Sequence, residues 1–322
     1  MELSLITLKA LQNKKVGILG YGNQGRAHAL NLRDSGIEVA VGCRSGRGFK
    51  QAQQDGFLPL EMEIAAEKSQ VLVFLLPDQV IPEAYDKLAC FFKNGEREVG
   101  FSHGYAYQFG GIKRYPQTGY FLVGPKGAGA ILREKFVSGE GLPGVFAVES
   151  PKKETREVCL AYAKAIGLAE VTLLETSFKE ETECDLFGEQ AVLCGGIMEL
   201  MEAAFDTLVK NGNTPEMAFF ECCYEARMIL ELWMKFGPEE LSRKISPTAF
   251  FGGLTRGRRI INSEAKKRIE EIFQEIRSGQ FQQEWREEVK KGYPQSESRR
   301  RILKESPLEK TYQILKSQMG ET

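Results

Sequence analysis

No apolar run in this chain approaches the roughly 20 residues that a helix needs to cross a bilayer, so no membrane-spanning helix is expected. Charge of one sign is also missing: 43 basic residues stand against 44 acidic ones, for a formal charge of -1. A chain so balanced has no global field to draw in nucleic acid or an anionic membrane surface. The seven cysteines are odd in number and never fall in a Cys-x-x-Cys spacing, which argues against a disulfide framework and a zinc site. Reduced, mostly buried thiols are expected. The opening Met1-Glu2-Leu3-Ser4-Leu5 lacks the charged start and apolar core of a signal peptide, so a cytoplasmic location is expected. Internal repeats and low-complexity segments are absent too. What remains is a chain of 322 residues, long enough for two domains with a core each. Its expected partners are small molecules and copies of itself.

The first half reads as alternating strands and helices. A buried strand over Lys15 to Leu19 leads into Gly20-Tyr21-Gly22-Asn23-Gln24-Gly25, then a helical pattern from Arg26 to Asp34 and a second strand from Glu38 to Gly42. Glycines in that spacing allow a tight turn and let the backbone approach a pyrophosphate at the positive end of a helix. An acidic residue closing the second strand would bind a ribose 2′-hydroxyl, but none stands there. Arg44, Ser45 and Arg47 offer two guanidinium forks and a hydroxyl instead, a cradle for a phosphate dianion. NADP is therefore favoured over NAD.

Further strands are expected at Val71 to Leu76, Glu98 to Ser102, Tyr120 to Val123, Gly144 to Val148 and Glu170 to Leu174, with helices over Ile64 to Ser69 and Pro82 to Phe92. The ends of three strands carry unusual chemistry: Leu76-Pro77-Asp78, Ser102-His103-Gly104 and Gly124-Pro125-Lys126-Gly127. Open α/β sheets bind ligands at the carboxyl ends of their strands, so His103 and Lys126 should face that crevice. The other reading of His103 is a hydrogen-bonded core residue; Gly104, which would let the backbone approach a ligand, favours the first. His28, on the first helix, should pack or cap.

After about Thr176 strand propensity ends, and an all-helical domain is expected over 177–322, against 1–176 for the α/β domain. Its first helix would stack Glu181, Asp185 and Glu189 on one face at four-residue spacing. Like charges so placed repel unless they hold a hard cation such as Mg²⁺. Glu221 and Glu225 form a second pair four apart, among Met217, Phe219, Phe220, Tyr224, Met228, Ile229, Leu232 and Trp233. A helix apolar all round should be buried, here or against another subunit, and buried carboxylates need a partner. Thr214-Pro215-Glu216 marks its start, and Gly237-Pro238 its end near Phe236. Ser246, before Pro247, reads as a helix N-cap, and Arg299-Arg300-Arg301 as a solvated helix face.

Taken together, Gly20 to Gly36, Phe101-Ser102-His103-Gly104, Pro125-Lys126-Gly127 and Glu181 to Gln190 resemble ketol-acid reductoisomerase, also called acetohydroxy acid isomeroreductase, in its short form with a single knotted domain. The resemblance runs over nearly the whole chain. It implies an NADP-binding Rossmann domain with a mostly parallel, doubly wound sheet, and an all-α knotted domain shared between two protomers. It further implies a pair of Mg²⁺ ions held by Asp185 and Glu189 of one subunit, with Asp185 bridging, and by Glu221 and Glu225 of the other. Glu181 would support the acidic face, His103 and Lys126 would line the space between nicotinamide and metal, and Ser246 would bind the substrate carboxylate. Arg44, Ser45 and Arg47 fall in the family's cofactor-selecting loop.

The sequence departs from the family pattern at several points. Tyr224 stands where a histidine is usual, Pro247 and Phe250 where acids are usual, Ser102 for an alanine, Ala128 for a proline and Arg26 for a histidine. The cofactor loop is one residue shorter. The resemblance implies a two-step reaction on a 2-hydroxy-3-keto acid, 2-acetolactate or 2-aceto-2-hydroxybutyrate: alkyl migration, then reduction by NADPH to a 2,3-dihydroxy acid. Glu225 is a candidate to move protons and Lys126 to stabilise negative charge. Two alternatives stay open: a metal-assisted NAD(P)H reductase of another small 2-keto acid, and a nucleotide-binding regulatory protein without turnover. A homodimer with composite sites, or a larger assembly of such dimers, is expected.

Overall fold

The computed structural model describes residues 3–319; the outer limits of the expected domains, 1 and 322, and the opening Met1-Glu2 lie outside that range. The chain divides into two compact units, one ending at Thr182 and the other beginning at Glu183. Among the described residues no helix is long and apolar enough to cross a membrane.

The first unit is built on seven strands: β1 (Lys15–Leu19), β2 (Glu38–Gly42), β3 (Val71–Phe74), β4 (Glu98–Phe101), β5 (Gly119–Pro125), β6 (Gly144–Glu149) and β7 (Leu173–Glu175). They lie in the order β2-β1-β3-β4-β5-β6-β7, parallel throughout except where β6 pairs antiparallel to β5. Its helices are α1 (Asn23–Asp34), α2 (Arg47–Gln54), α3 (Met62–Glu67), α4 (Ile81–Leu88), α5 (Tyr105–Gln108), α6 (Gly129–Val137) and α7 (Glu154–Ala165). Successive strand residues face opposite ways, and the sequence uses both faces. Val16, Ile18, Val71, Val73, Phe121 and Val123 join one buried cluster, while Leu19, Leu72, Phe74, Tyr120 and Leu122 join another. Each such side chain, fully removed from water, contributes on the order of 1.5–3 kcal/mol. Strands buried on both faces read as continuous apolar runs, which is why they were visible in the sequence.

Local bounds differ where hydrogen bonding overrides pattern. Helix α1 starts at Asn23, inside the glycine fingerprint, because Gly22 already accepts the first helical bond from the Arg26 N–H at 2.9 Å. Strand β3 stops at Phe74 rather than Leu76, and β7 covers only Leu173–Glu175.

The second unit is helical: it takes the end of α8 (Phe178–Gly188), then α9 (Gly196–Lys210), α10 (Pro215–Phe219), α11 (Glu225–Lys244), α12 (Pro247–Ile260), α13 (Ser263–Ser278), α14 (Gln280–Lys290), α15 (Pro294–Glu305) and α16 (Pro307–Met319). Two π turns interrupt it, at Glu189–Leu193 and Phe220–Tyr224, and each contains or adjoins the acids singled out in the sequence. A kink at Gly237 (φ 72°, ψ 169°) breaks α11 just past Phe236. The core of this unit is small, centred on Phe205, Ala218, Phe219, Cys223 and Leu315.

The expected burial of the Glu221–Glu225 segment is not met within the chain. Both acids are exposed, and so are Met217, Met228, Ile229, Leu232 and Trp233, with Met234 76% exposed. One chain has too few neighbouring helices to cover an element that is apolar all round. The cysteines are all free, as expected, but only Cys43, Cys159 and Cys223 are buried. Nor is Arg299 merely solvated: it reaches from α15 to Glu199 (2.9 Å) and Glu202 (2.5 Å) on α9.

His28 packs, as expected. It is fully buried, with Nδ1 2.8 Å from the Tyr162 hydroxyl and Nε2 without a hydrogen-bond partner. Burial pushes its pKa from 6.5 down to about 3. Between those values the unfolded chain binds a proton that the folded chain does not, so stability is fully present above pH 6.5 and falls as pH drops toward 3. The expected slope is at most about 1.4 kcal/mol per pH unit. Urea unfolding from pH 7 down to about 4 should show a steeper loss for the native sequence than for His28→Gln; equal slopes would refute the assignment.

Candidate active site

A cavity of about 730 Å³ opens at the carboxyl ends of β1, β2 and β3. It is lined by Gly20, Tyr21 and Gly22 after β1, by Arg44, Ser45 and Arg47 after β2, and by Leu76 and Pro77 after β3. The strand order reverses between β1 and its neighbours β2 and β3, and such a switch point is where open α/β sheets take ligands. The sequence thus named eight residues that one cavity brings together. It missed Met62 of α3 and, at the approach to and on α4, Val80, Glu83, Ala84 and Lys87. The spacing 80, 83, 84, 87 is one helix face beginning just after the strand-end Pro77, and that was the available signal.

The three fingerprint glycines serve different needs. Gly20 has φ +106°, and a Cβ there would meet the Leu75 carbonyl oxygen at 2.5 Å. At Gly25 it would meet the Gly20 carbonyl oxygen at 2.1 Å, so that glycine lets α1 pack on the turn. Beside Gly22 there is open space. Gly22 is also the N-cap of α1 and offers no side chain to the first-turn N–H groups. An open, uncapped helix start at the mouth of a cavity fits a phosphate. Asn23 begins the helix, and Gln24 donates from Nε2 to the Gly127 carbonyl oxygen at 3.0 Å, tying the fingerprint to the loop that bears Lys126.

A clamp under the cavity holds this loop. The Tyr21 hydroxyl donates to Asp55 at 2.9 Å, and Arg26 forks onto both oxygens of the same carboxylate at 2.7 and 2.9 Å. The Arg26 bonds hold Asp55 below the usual carboxylate range, while burial, then the Asp55 bond, raises Tyr21 above its ordinary value. Arg26 therefore has a local role that explains its presence. At Gly48 a Cβ would meet the Tyr21 carbonyl oxygen at 2.8 Å, so the arginine-bearing segment lies directly on the fingerprint.

Further along the sheet, His103 and Asp78 meet where β4 and β3 end, with Nδ1 3.5 Å from Oδ2. Glu181, only 5% exposed, accepts from the Gly104 N–H at 2.8 Å. Gly104 has no room for a Cβ, which would lie 2.2 Å from Thr182 Oγ1 and 2.8 Å from the Phe178 carbonyl oxygen. What the missing side chain admits at Gly104 is thus helix α8, rather than a ligand. That helix runs unbroken past Thr182, so Asp185 follows Glu181 by one turn. His103, Glu181 and Asp185 each offer a ligand atom, all within 4.8 Å of one another. One imidazole nitrogen and two carboxylates make a donor set suited to a divalent cation.

The remaining candidates stand apart from that cluster. Lys126 is exposed after β5. Glu189 is exposed at the first position of a π turn, Glu221 lies within the other, and Glu225 follows it. Among the described residues no cluster gathers Asp185, Glu189, Glu221 and Glu225 within one chain. Ser246 caps α12, its hydroxyl oxygen accepting from the Ala249 N–H at 3.1 Å.

Two family models match the chain, one for each half. The "Acetohydroxy acid isomeroreductase, NADPH-binding domain" covers residues 10–171, and the "Ketol-acid reductoisomerase, C-terminal domain" covers 178–321. The chain belongs to the ketol-acid reductoisomerase family. It is 42% identical over 317 residues to the ketol-acid reductoisomerase (NADP(+)) of Methanocaldococcus jannaschii, covering 98% of this chain and 96% of that protein. To the enzyme of the same name from Methanothermobacter thermautotrophicus it is 41% identical, covering 98% and 97%. A solved structure of an NADH-preferring ketol-acid reductoisomerase from an uncultured archaeon superposes with a TM-score of 0.92 at 37% identity, covering 97% of this chain and 96% of that one. The resemblance drawn from the motifs is thus a family membership.

The seat of α8 can be tested. Gly104→Ala forces a Cβ into Thr182 and the Phe178 carbonyl group, and overpacking of this kind costs about 1–3 kcal/mol. Thermal unfolding should show a lowered midpoint, whereas Gly22→Ala, which meets open space, should leave stability nearly unchanged.

Proposed function

We propose that the chain converts 2-acetolactate or 2-aceto-2-hydroxybutyrate to the matching 2,3-dihydroxy acid, by alkyl migration followed by reduction with a nicotinamide dinucleotide. The observation that carries this reading is the approach of His103, Glu181 and Asp185 within 4.8 Å, in a chain whose two halves both match the family. Divalent cations, when bound, would act as Lewis acids on the substrate's ketone and hydroxyl oxygens. The dinucleotide would supply the hydride.

In 2-acetolactate the methyl group leaves C2 for the ketone carbon C3 while the C2 hydroxyl loses its proton. C2 becomes the new ketone and the C3 oxygen takes a proton. Hydride then adds to C2 and a second proton to its oxygen. Asp185, with His103 and Glu181 beside it, would hold the cation; Asp78 orients His103 at Nδ1. Glu189 on the same chain, and Glu221 and Glu225 from a second copy, complete the carboxylate set. Their exposure supports that reading, since a carboxylate pair among exposed Met228, Ile229, Leu232 and Trp233 is placed to enter a partner's site as those side chains are covered. Glu225 moves the proton at the substrate hydroxyl, and Lys126 balances the negative charge that develops. Ser246 keeps its proton free to donate to the substrate carboxylate, because its oxygen accepts in the cap.

Arg44, Ser45 and Arg47 favour a 2′-phosphate, hence NADPH, on one wall of the cavity. A second reading, reduction of another small 2-keto acid without isomerisation, is favoured by the first turn of α12. It carries no acid where the family usually has two.

NADPH oxidation should depend on Mg²⁺ with racemic 2-acetolactate and also with 3-hydroxy-3-methyl-2-ketobutyrate. Turnover of the second substrate alone would select the simple reductase. Separately, Asp185→Asn and Glu221→Gln proteins, each inactive, should regain part of their activity when mixed and allowed to exchange subunits. Exchange without recovery, followed by a fluorescence-transfer label, would reject the composite site.

A further inference from the structure

The cavity that takes the dinucleotide in the reading above has a second charged wall, opposite in origin to the arginine loop. Helix α4 places Glu83 and Lys87 on one face, four residues apart, and both line the cavity with Arg44, Ser45 and Arg47. Lys87 Nζ lies 2.6 Å from Glu83 Oε1, and both side chains are mostly exposed, at 60% and 74%. The pair is therefore not needed to hold the fold, since exposed pairs of this kind contribute little to stability. Three cations and one carboxylate thus surround the same space.

We propose that Glu83 and Lys87 are a second determinant of cofactor choice, reading the 2′ substituent of the adenosine ribose. A 2′-phosphate is mostly a dianion at neutral pH and is matched by cations, so Lys87 leaves Glu83 to join Arg44 and Arg47 upon it. A 2′-hydroxyl donates a hydrogen bond, and Glu83 is the carboxylate lining this cavity that can accept it. In dinucleotide folds that acceptor usually closes the second strand, where this chain has Cys43 and Arg44. The acid is displaced here to α4, paired with a cation that releases it according to which cofactor arrives. The site accordingly accommodates both dinucleotides, with the pair setting the ratio between them. This rests on the assignment of the cavity to the dinucleotide.

Equilibrium binding tests the proposal, with NADPH and NADH titrated separately and followed by nicotinamide fluorescence. Lys87→Gln should weaken NADPH by about threefold to tenfold and change NADH by less than about twofold. Glu83→Gln should weaken NADH by a similar factor while leaving NADPH unchanged or tighter. The NADPH effect should shrink at high salt, as expected for an exposed charge contact. If each variant changes both cofactors by the same factor, or neither variant changes either, the pair has no part in discrimination. If the native protein binds neither cofactor, the cavity assignment itself fails, and the proposal with it. Unchanged thermal midpoints in both variants secure the comparison, and NADH-specific loss in Glu83→Gln is a result that general unfolding would not give.

Discussion

The hydrogen bond from the Gly104 N–H to Glu181 is the constraint on which the arrangement of His103, Glu181 and Asp185 depends. A buried carboxylate requires a donor, and a backbone N–H at 2.8 Å supplies one without a side chain that could rotate away. The bond forms only because Gly104 has no Cβ, so that α8 can press against the end of β4. Phe178 secures the same turn from below, its ring stacked on Tyr107 at 4.0 Å and set edge-on to Phe101 at 6.3 Å. With the first turn of α8 so anchored, helix geometry alone carries Asp185 to its place one turn on.

The same device recurs around the cavity. Gly25 admits the turn at Gly20, Gly48 admits the backbone of Tyr21, and Gly129 would meet the Asn23 carbonyl oxygen at 2.1 Å if it carried a Cβ. These glycines bring backbone against backbone. Gly22 and Gly46 differ, with open space where a side chain would stand. The contrast separates glycines that build the wall from glycines that leave room for an occupant, and both open ones line the cavity.

Much of this was legible in the sequence because the signals are local. The strand, glycine turn and helix over 15–34 follow from apolar runs and turn chemistry. The caps at Thr214 and Ser246 follow from one residue each, and both form the expected side-chain bond. Arg44, Ser45 and Arg47 followed from the absence of an acid. What escaped depends on contacts distant in the chain. Gly104 read as a ligand-facing glycine because its true neighbour, Thr182, lies 78 residues away in sequence. Asp55 gave no sign of joining Tyr21 to Arg26, nor did Glu83 and Lys87 of lining the cavity. The Glu221 segment is exposed within its own chain, because composition tells that a surface must be covered but not by which chain.

The two π turns carry a consequence of their own. A π turn holds one residue more than the α-helical turn it replaces, so beyond it each position on the helix face is filled by a residue one place later in sequence than in an unbroken α-helix. Both acid-bearing segments, at Glu189–Leu193 and Phe220–Tyr224, carry this extra residue. Their geometry is therefore written in chain length as well as in side-chain identity. Deletion of a single non-acidic residue within either turn would restore a regular helix with every acid still present and the following turns on their old bearing, but would take away the widened turn in which Glu189 or Glu221 sits. For this part of the chain, spacing is as much a part of the site as its carboxylates are.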